Sequence, residues 1–148
     1  MMGKRSNFDR VPRDFYPTPI EAVLPLVPHL PVQFDYWEPC AGDGALFQHI
    51  DQLCPQSECL YLSDIEPRGL GIRCADALSQ VSPAAMIITN PPWDRKVLHP
   101  MIEHFSAMAP TWLLFDADWI HTKQSARFMP WLQKVVSVGR VKWIPDSK

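Results

Sequence analysis

Short apolar runs alternate with longer amphipathic stretches along most of this chain, and no other feature constrains its fold more strongly. Apolar runs of this length are typical of buried strands, and amphipathic stretches are typical of the helices that cover them. The pattern predicts an α/β domain, Rossmann-like, with a mostly parallel sheet and helices on both faces. The predicted strands are 34–39, 59–65, a brief one near 72–74, 84–89, 111–116 and 139–145, and the predicted helices are 18–30, 44–54, 95–109 and 121–135. Prolines should break the first helix at Pro25 and Pro28 and distort the third at Pro100.

The length of 148 residues suits one domain with its own hydrophobic core. We expect residues 1–14 to form a flexible basic arm and residues 15–148 to form the single domain. No segment is apolar enough to span a membrane, and the polar N-terminus lacks the apolar core of a signal peptide. These features predict an intracellular protein.

The cysteine pattern predicts no metal site. Cys40, Cys54, Cys59 and Cys74 contain no Cys-x-x-Cys pair and have no histidine at zinc-finger spacing, so we expect buried free thiols. Cys54 and Cys59 flank a proline-containing turn and have the spacing for a bridge, but an intracellular setting disfavours one.

Charge is distributed unevenly along the chain. Residues 15–94 carry two basic side chains against ten carboxylates, whereas residues 95–148 carry eight basic side chains against four. This polarity suits a protein that holds a cationic small molecule with one half and an anionic polymer with the other. The alternative, solvated charges that share no face, stays open.

Polar residues cluster where the predicted strands end. The clusters are EPCAGDG (38–44), SDIEP (63–67), CADA (74–77), NPPWD (90–94) and DADW (116–119). Ligands of open parallel sheets bind beyond the carboxyl ends of the strands. The five clusters therefore predict one shared site.

The first cluster has the residues of a nucleoside-binding turn. Gly42 and Gly44 follow a predicted strand and open a helix, which lets a ligand approach the backbone closely. Asp64 follows Gly44 by twenty residues, where an acidic side chain receives ribose hydroxyls, and Asp76 is placed to accept from an adenine amine. An adenosine-bearing cofactor is predicted; an ordinary tight turn is the alternative. Because the loop lacks a P-loop lysine, bound phosphate is disfavoured.

The NPPW segment has the groups needed to hold a planar amine. Asn90 offers a side-chain carbonyl, and Pro91 offers a main-chain carbonyl that no helix claims because Pro92 interrupts regular structure. Trp93 offers a flat face on which a base taken out of its stack can rest. A plain Asn-Pro turn is the alternative.

The chain resembles the class I S-adenosylmethionine-dependent N6-adenine DNA methyltransferases in the order of its motifs, which are FYPTP (15–19), EPCAGDG, SDIEP, CADAL (74–78) and NPPW. Together with two further segments, ADWIHT (117–122) and GRVKWIP (139–145), these motifs look like those of the small phage- and prophage-type members. The resemblance covers about residues 12–148. It implies methyl transfer from S-adenosylmethionine to the N6 atom of adenine in DNA, in the cytoplasm of a bacterial or phage-infected host cell.

The resemblance also implies residue roles. Tyr16 and Thr18 would contact the methionine part of the cofactor, Asp64 with Ile65 the ribose, and Asp76 with Ala77 the adenine. The residues implied to line the methionine and ribose are Glu38, Cys40, Ala41, Gly42 and Gly44. Asn90, Pro91, Pro92 and Trp93 would hold and orient the target base.

The second half of the chain supplies the predicted nucleic-acid contacts. Trp119 and His121 either form a wall of the substrate pocket or serve as core packing and a helix cap. The basic residues proposed to contact phosphates are Arg95, Lys96, Lys123, Arg127, Arg140 and Lys142. We expect Trp112, Trp131 and Trp143 to lie in the core.

Two departures from the family bear on these expectations. No insertion is long enough for a separate target-recognition domain, and the sequence stops at VKWIPDSK where related proteins continue into another strand. An incomplete sheet, a truncated chain and a partner that completes the sheet are all open. Alternative functions are methylation of RNA adenine or of a protein glutamine, and a non-catalytic, partner-dependent subunit that binds S-adenosylmethionine.

Overall fold

The computed structural model describes residues 16–143, so the predicted arm at 1–14 lies outside the described residues. Within them, five parallel strands form one sheet in the order β3-β2-β1-β4-β5. The strands are β1 (Phe34–Glu38), β2 (Ser57–Asp64), β3 (Arg73–Cys74), β4 (Ile87–Thr89) and β5 (Thr111–Leu113). The predicted α/β, Rossmann-like fold is confirmed.

The sheet is covered on both faces because neighbouring residues of a strand point to opposite sides. Tyr36 packs with Ile50 of helix α1 (Ala45–Leu53), while the next residue, Trp37, packs with Phe105 of helix α2 (Arg95–Ser106). All four side chains are almost fully buried. The predicted helices on both faces are thereby confirmed.

Two predicted helices that contain proline form as 3-10 helices. Five 3-10 helices occur in residues 16–143: Ile20–Ala22, Leu24–His29, Ala77–Ser79, Ala117–His121 and Lys123–Trp131. The helix predicted over 18–30 is divided into Ile20–Ala22 and Leu24–His29, and the helix predicted over 121–135 forms as Lys123–Trp131. A proline removes a backbone donor, so short-range bonds remain, such as Leu26 N–H to Val23 O at 2.9 Å. Helix α2 instead continues through the exposed Pro100.

Three predicted strands include three or more residues that form no strand in the structure. Strands β4 and β5 are shorter than the predicted 84–89 and 111–116. Strand β5 is followed closely by Asp116, whose carboxylate accepts from Asp118 N–H at 3.0 Å and begins the 3-10 helix Ala117–His121. The strand predicted over 139–145 is wrong for residues 139–143, which form no strand; residues 144–145 lie outside the described residues.

The core tryptophans are mostly not the predicted ones. Trp37 and Trp119 are buried, whereas Trp131 is 52% exposed, so its assignment to the core was wrong. Trp112 and Trp143 are half-buried. Trp131 is the last residue of a 3-10 helix, and the four residues after it are exposed and do not cover the indole.

All four cysteines are free thiols, and Cys54 is buried as expected. Cys74 is exposed because it lies on the short edge strand β3, so the expectation of a buried thiol was wrong there. Among residues 16–143, no helix has the length and hydropathy needed to cross a membrane.

Candidate functional site

The predicted site residues meet where the strand order reverses. Strands β1 and β4 are neighbours in the sheet, but the chain leaves them in opposite directions. The connection after β1 contains α1 and covers one face, and the connection after β4 contains α2 and covers the other face. The carboxyl ends of two such strands are the usual ligand position in parallel sheets, and this place is called the crevice below. Cys40 N–H donates to Thr89 Oγ1 at 3.1 Å and ties the two strand ends together.

The glycine-rich turn lies at this crevice and is fastened to β2. Gly42 and Gly44 have φ of 58° and 88°, a left-handed conformation that favours glycine. Gly42 N–H donates to Asp64 Oδ2 at 2.8 Å, while Asp64 Oδ1 accepts from Glu66 N–H at 2.7 Å. Ala41 N–H donates to Ser63 O at 2.9 Å. Asp64 therefore shapes the loop, and each of its oxygens retains a second lone pair for a ligand.

The loop after β2 packs directly on this turn at Gly69. A Cβ atom built on Gly69 would lie 2.7 Å from the Asp43 carbonyl oxygen, and Arg68 N–H donates to Gly42 O at 2.9 Å. The close approach of two backbones excludes any side chain at position 69.

Gly69→Ala should therefore destabilise the protein by about 1–3 kcal/mol, because backbone on both sides must shift to admit the methyl group. Chemical denaturation of the variant measures the loss. The control is Leu70→Ala at the next, fully exposed position, where a change within about 0.5 kcal/mol is expected. Equal stability of Gly69→Ala and the wild type would contradict the close packing.

Glu38 is a buried carboxyl group at the end of β1. It is 1% exposed, and its Oε1 has no hydrogen-bond partner among the described residues. Burial, and then the nearby charges of Asp64 and Asp43, raise its pKa well above the ordinary value, although a bond from the Phe47 backbone acts in the opposite direction. Glu38, Asp64 and Asp43 are thus three acidic groups close together, one of which has a buried oxygen without a partner. A bound cation would stabilise the charged forms of these groups.

Asn90 is held by two partners from distant parts of the chain. Its Nδ2 donates to Thr18 Oγ1 at 3.2 Å, and its Oδ1 accepts from Trp93 Nε1 at 3.2 Å. Because the indole N–H can only donate, it determines which end of the amide is the oxygen. Trp93 Nε1 also lies 3.1 Å from Leu114 O, so the indole bridges the ends of β4 and β5.

The two prolines separate this segment from α2. Asp94 caps α2 through Lys96 N–H at 3.0 Å, and its carbonyl accepts the first backbone bonds of the helix, from Val97 and Leu98. The Pro91 carbonyl therefore lies outside the bonding of α2. Pro91 is buried and Pro92 half-buried, which sets Asn90 and Trp93 on a rigid support.

The remaining predicted cofactor residues occupy the same edge of the sheet with varied exposure. Asp76 Oδ1 accepts from Leu78 N–H at 3.0 Å and caps a 3-10 helix whose first residue, Ala77, is buried. Ile65 is half-exposed, and the Tyr16 hydroxyl is buried without a hydrogen-bond partner in the described part of the chain. Asp76 Oδ2 is not used in the cap.

Cys40 contributes backbone rather than a reactive thiol. Its Sγ lies 3.7 Å from Met101 Sδ on α2, and burial is the main cause that raises the pKa of the thiol. The thiol therefore stays protonated at neutral pH, which excludes it as a nucleophile.

Several predicted nucleic-acid contacts converge at a second place, beside α2. A cavity of about 400 Å³ is lined by Arg95, Lys96, His99, Lys123, Gln124 and Arg127. Trp119 lies behind it, buried against Phe128, which fits packing and not an exposed pocket wall. His121 and Arg140 are exposed and are not among the lining residues.

Sequence reasoning missed His99 and Gln124 in this second group. The signal was the spacing of four between Arg95 and His99 and the spacing of three between Gln124 and Arg127, which place the first pair on one side of an α-helix and the second on one side of a 3-10 helix. His99 Nε2 accepts from Trp119 Nε1 at 2.9 Å, so a neutral His99 carries its hydrogen on Nδ1.

The His99 contact predicts a pH dependence of stability. Burial, then the charges of Arg127 and Arg95, lower the pKa of His99, while Glu103 opposes them. The unfolded chain takes up this proton near pH 6.5. His99 therefore contributes stability above that pH, and the contribution is lost as the pH falls through the lowered pKa of the folded state.

Thermal midpoints at about pH 7.5 and about pH 5 should show a larger loss for the wild type than for His99→Gln, whose amide can still accept the Trp119 bond. The same change at the exposed His121 serves as control. A wild type and His99→Gln that lose equal stability on acidification would count against the prediction.

Comparisons with protein-family models, with curated proteins and with solved structures found no match to this chain.

Proposed function

We propose that the protein transfers a methyl group from S-adenosylmethionine to the N6 amino group of adenine in DNA. One observation carries the proposal: the Asn90 amide, oriented by Thr18 and Trp93, lies at the same sheet edge as the glycine-rich turn and its acidic neighbours. An amide oxygen next to a nucleoside-binding turn suits an amine acceptor beside an adenosine-bearing cofactor.

The residues of the crevice suit a cationic cofactor. Glu38, Asp43 and Asp64 surround the turn with acidic groups, and the Glu38 oxygen lacks a partner within the described residues. Gly42 and Gly44 permit close approach to the backbone. Tyr16, Thr18, Glu38 and the turn would hold the methionine part, Asp64 with Ile65 the ribose, and Asp76 with Ala77 the adenine.

When bound, S-adenosylmethionine supplies a methyl group on a positively charged sulfur, which takes the electron pair of the broken carbon–sulfur bond. Asn90 Oδ1 has one lone pair left after the Trp93 bond and accepts a hydrogen of the adenine amine. The Pro91 carbonyl accepts the other hydrogen. Both dipoles stabilise the positive charge that grows on nitrogen before its proton leaves to solvent.

Trp93 completes the proposed base site. Its indole is 37% exposed, its edge is anchored to Asn90 and Leu114, and Trp143 packs against it at about a right angle with ring centroids 5.6 Å apart. The base would stack on the exposed part of this ring, at little cost in side-chain entropy. Stacking of a base on such a face contributes about 1–3 kcal/mol. Target adenine therefore enters with its amine toward Asn90 and its ring on Trp93.

Incubation with labelled cofactor and unmodified DNA, followed by digestion to nucleosides, tests the proposal. N6-methyladenine is expected, and its absence at high enzyme concentration would contradict it. RNA and a glutamine-containing protein mixture in competition separate the other methyl acceptors. Cofactor binding by calorimetry without turnover on any acceptor would favour the non-catalytic subunit instead.

A further inference from the structure

The cavity beside α2 combines basic side chains from two helices. Arg95, Lys96 and His99 come from α2, and Lys123, Gln124 and Arg127 come from the 3-10 helix Lys123–Trp131. The cavity is an open depression of the surface, of about 400 Å³, and not an enclosed pocket. Six side chains that can all donate hydrogen bonds, and four of which are cationic, make a lining suited to an anion.

The positive charge of this cavity is only partly balanced by the protein. Arg127 pairs with Glu103 at the rim. Within residues 16–143, no carboxylate forms an ion pair with Arg95, Lys96 or Lys123. Three exposed cations therefore share this lining without a carboxylate partner among the described residues, and a bound anion would lower their mutual repulsion.

The position of two of these cations runs against helix electrostatics. Arg95 and Lys96 are the first two residues of α2, where the positive end of the helix dipole disfavours basic side chains. Asp94 caps the helix and offsets part of this cost. A placement that breaks a local rule in this way is typical of a functional position.

One of the two uncharged donors is the His99 imidazole, which the protein holds in place. Trp119 Nε1 donates to His99 Nε2 at 2.9 Å, and the ring packs 4.9 Å from Phe128. The free Nδ1–H of the neutral ring is thus a donor in the cavity lining, without the need for a proton from solvent.

We propose that this cavity binds a backbone phosphate of the nucleic-acid strand that presents the target adenine. The inference rests on the proposed function for the identity of the strand. Arg95 follows Trp93 by two residues, so their Cα atoms are at most about 7 Å apart, and a strand whose base stacks on Trp93 passes this cavity. Lys96 and Lys123 neutralise the phosphate, and Arg95, Arg127 and Gln124 complete the donor set.

The test measures binding of a fluorescent single-stranded oligonucleotide without cofactor, over a series of salt concentrations. Each phosphate contact adds about 0.7 to the slope of log Kd against log salt. Lys96→Gln and Lys123→Gln should each reduce the slope by at most that amount, because both lysines contact the same phosphate. Lys134→Gln, which removes an equal charge at an exposed site 3.5 Å from His29, should leave the slope unchanged.

The outcomes separate the cavity from the chemistry. Equal slopes for the wild type, Lys96→Gln and Lys123→Gln would overturn the cavity proposal, even if the protein methylates DNA. Reduced slopes support it, even if no methyl transfer is found. Inorganic phosphate that stabilises the wild type while neither lysine variant alters oligonucleotide binding would assign the site to free phosphate and overturn the strand proposal.

Discussion

Asn90→Ala is expected to lower kcat for methyl transfer by about 10²–10³-fold, the usual cost of removing one preorganised dipole at a reacting centre. The amide oxygen is the side-chain acceptor proposed for the adenine amine, and no neighbouring group replaces it. Cofactor affinity should fall by a smaller factor, because the glycine-rich turn is fastened through Asp64 and, of the proposed cofactor residues, the Asn90 amide contacts Thr18. Methylation rates at saturating DNA, with cofactor binding by calorimetry, measure the two quantities separately.

Trp93→Phe is the matched variant for this prediction. It retains an aromatic face but removes the N–H that orients Asn90 and reaches Leu114 O. A smaller loss is expected, mainly in KM for DNA, because the acceptor stays while its orientation loosens. Asn90→Ala with near wild-type kcat would refute the proposed role of the amide. An equal fall in kcat for both variants would indicate that the amide acts by positioning the base and not as the acceptor of the amine hydrogen.

Glu38→Gln is expected to weaken binding of S-adenosylmethionine by about 10–100-fold, the range for loss of a hydrogen bond to a charged group. Burial raises the pKa of Glu38 in the free protein, and a bound cation would lower that pKa again. Binding by the wild type should therefore release a proton. Calorimetry in buffers of different ionisation enthalpy measures that release, which should be absent in Glu38→Gln.

The same carboxyl group predicts opposite trends for binding and for stability. Cofactor affinity of the wild type should rise with pH until the raised pKa of the free protein is passed. The contribution of Glu38 to stability should fall as pH rises above the ordinary value of 4.5 and be lost as pH passes the raised pKa, since the unfolded chain releases this proton more readily. Glu58→Gln, at an exposed position at the start of β2, is the control for a carboxylate far from the crevice. Wild-type affinity in Glu38→Gln would contradict the assignment.

The parallel sheet and its polar strand ends were predictable because they are written in local patterns. Buried strands need runs of apolar residues, and the turns that leave them need glycine, proline and acidic caps, so residues 38–44 and 90–94 indicate their positions without any knowledge of contacts. Helix type was less accessible. Pro25 and Pro28 have no N–H, so some carbonyls near them lack a backbone donor. Which carbonyls these are decides whether Leu24–His29 forms an α-helix or a 3-10 helix.

By itself, the sequence determined the fold class, the carboxyl edge that bears the polar clusters, and the amide–proline–indole segment at Asn90. Only the tertiary structure decided which side chains meet. The Thr18 hydroxyl accepts a hydrogen bond from Asn90, which lies 72 positions further along the chain. The Asp64 carboxylate accepts from Gly42 N–H, and the buried Trp119 indole donates to His99. Periodicity and turn chemistry act over a few residues, whereas hydrogen bonds between distant segments exist only once the sheet order has brought those segments together.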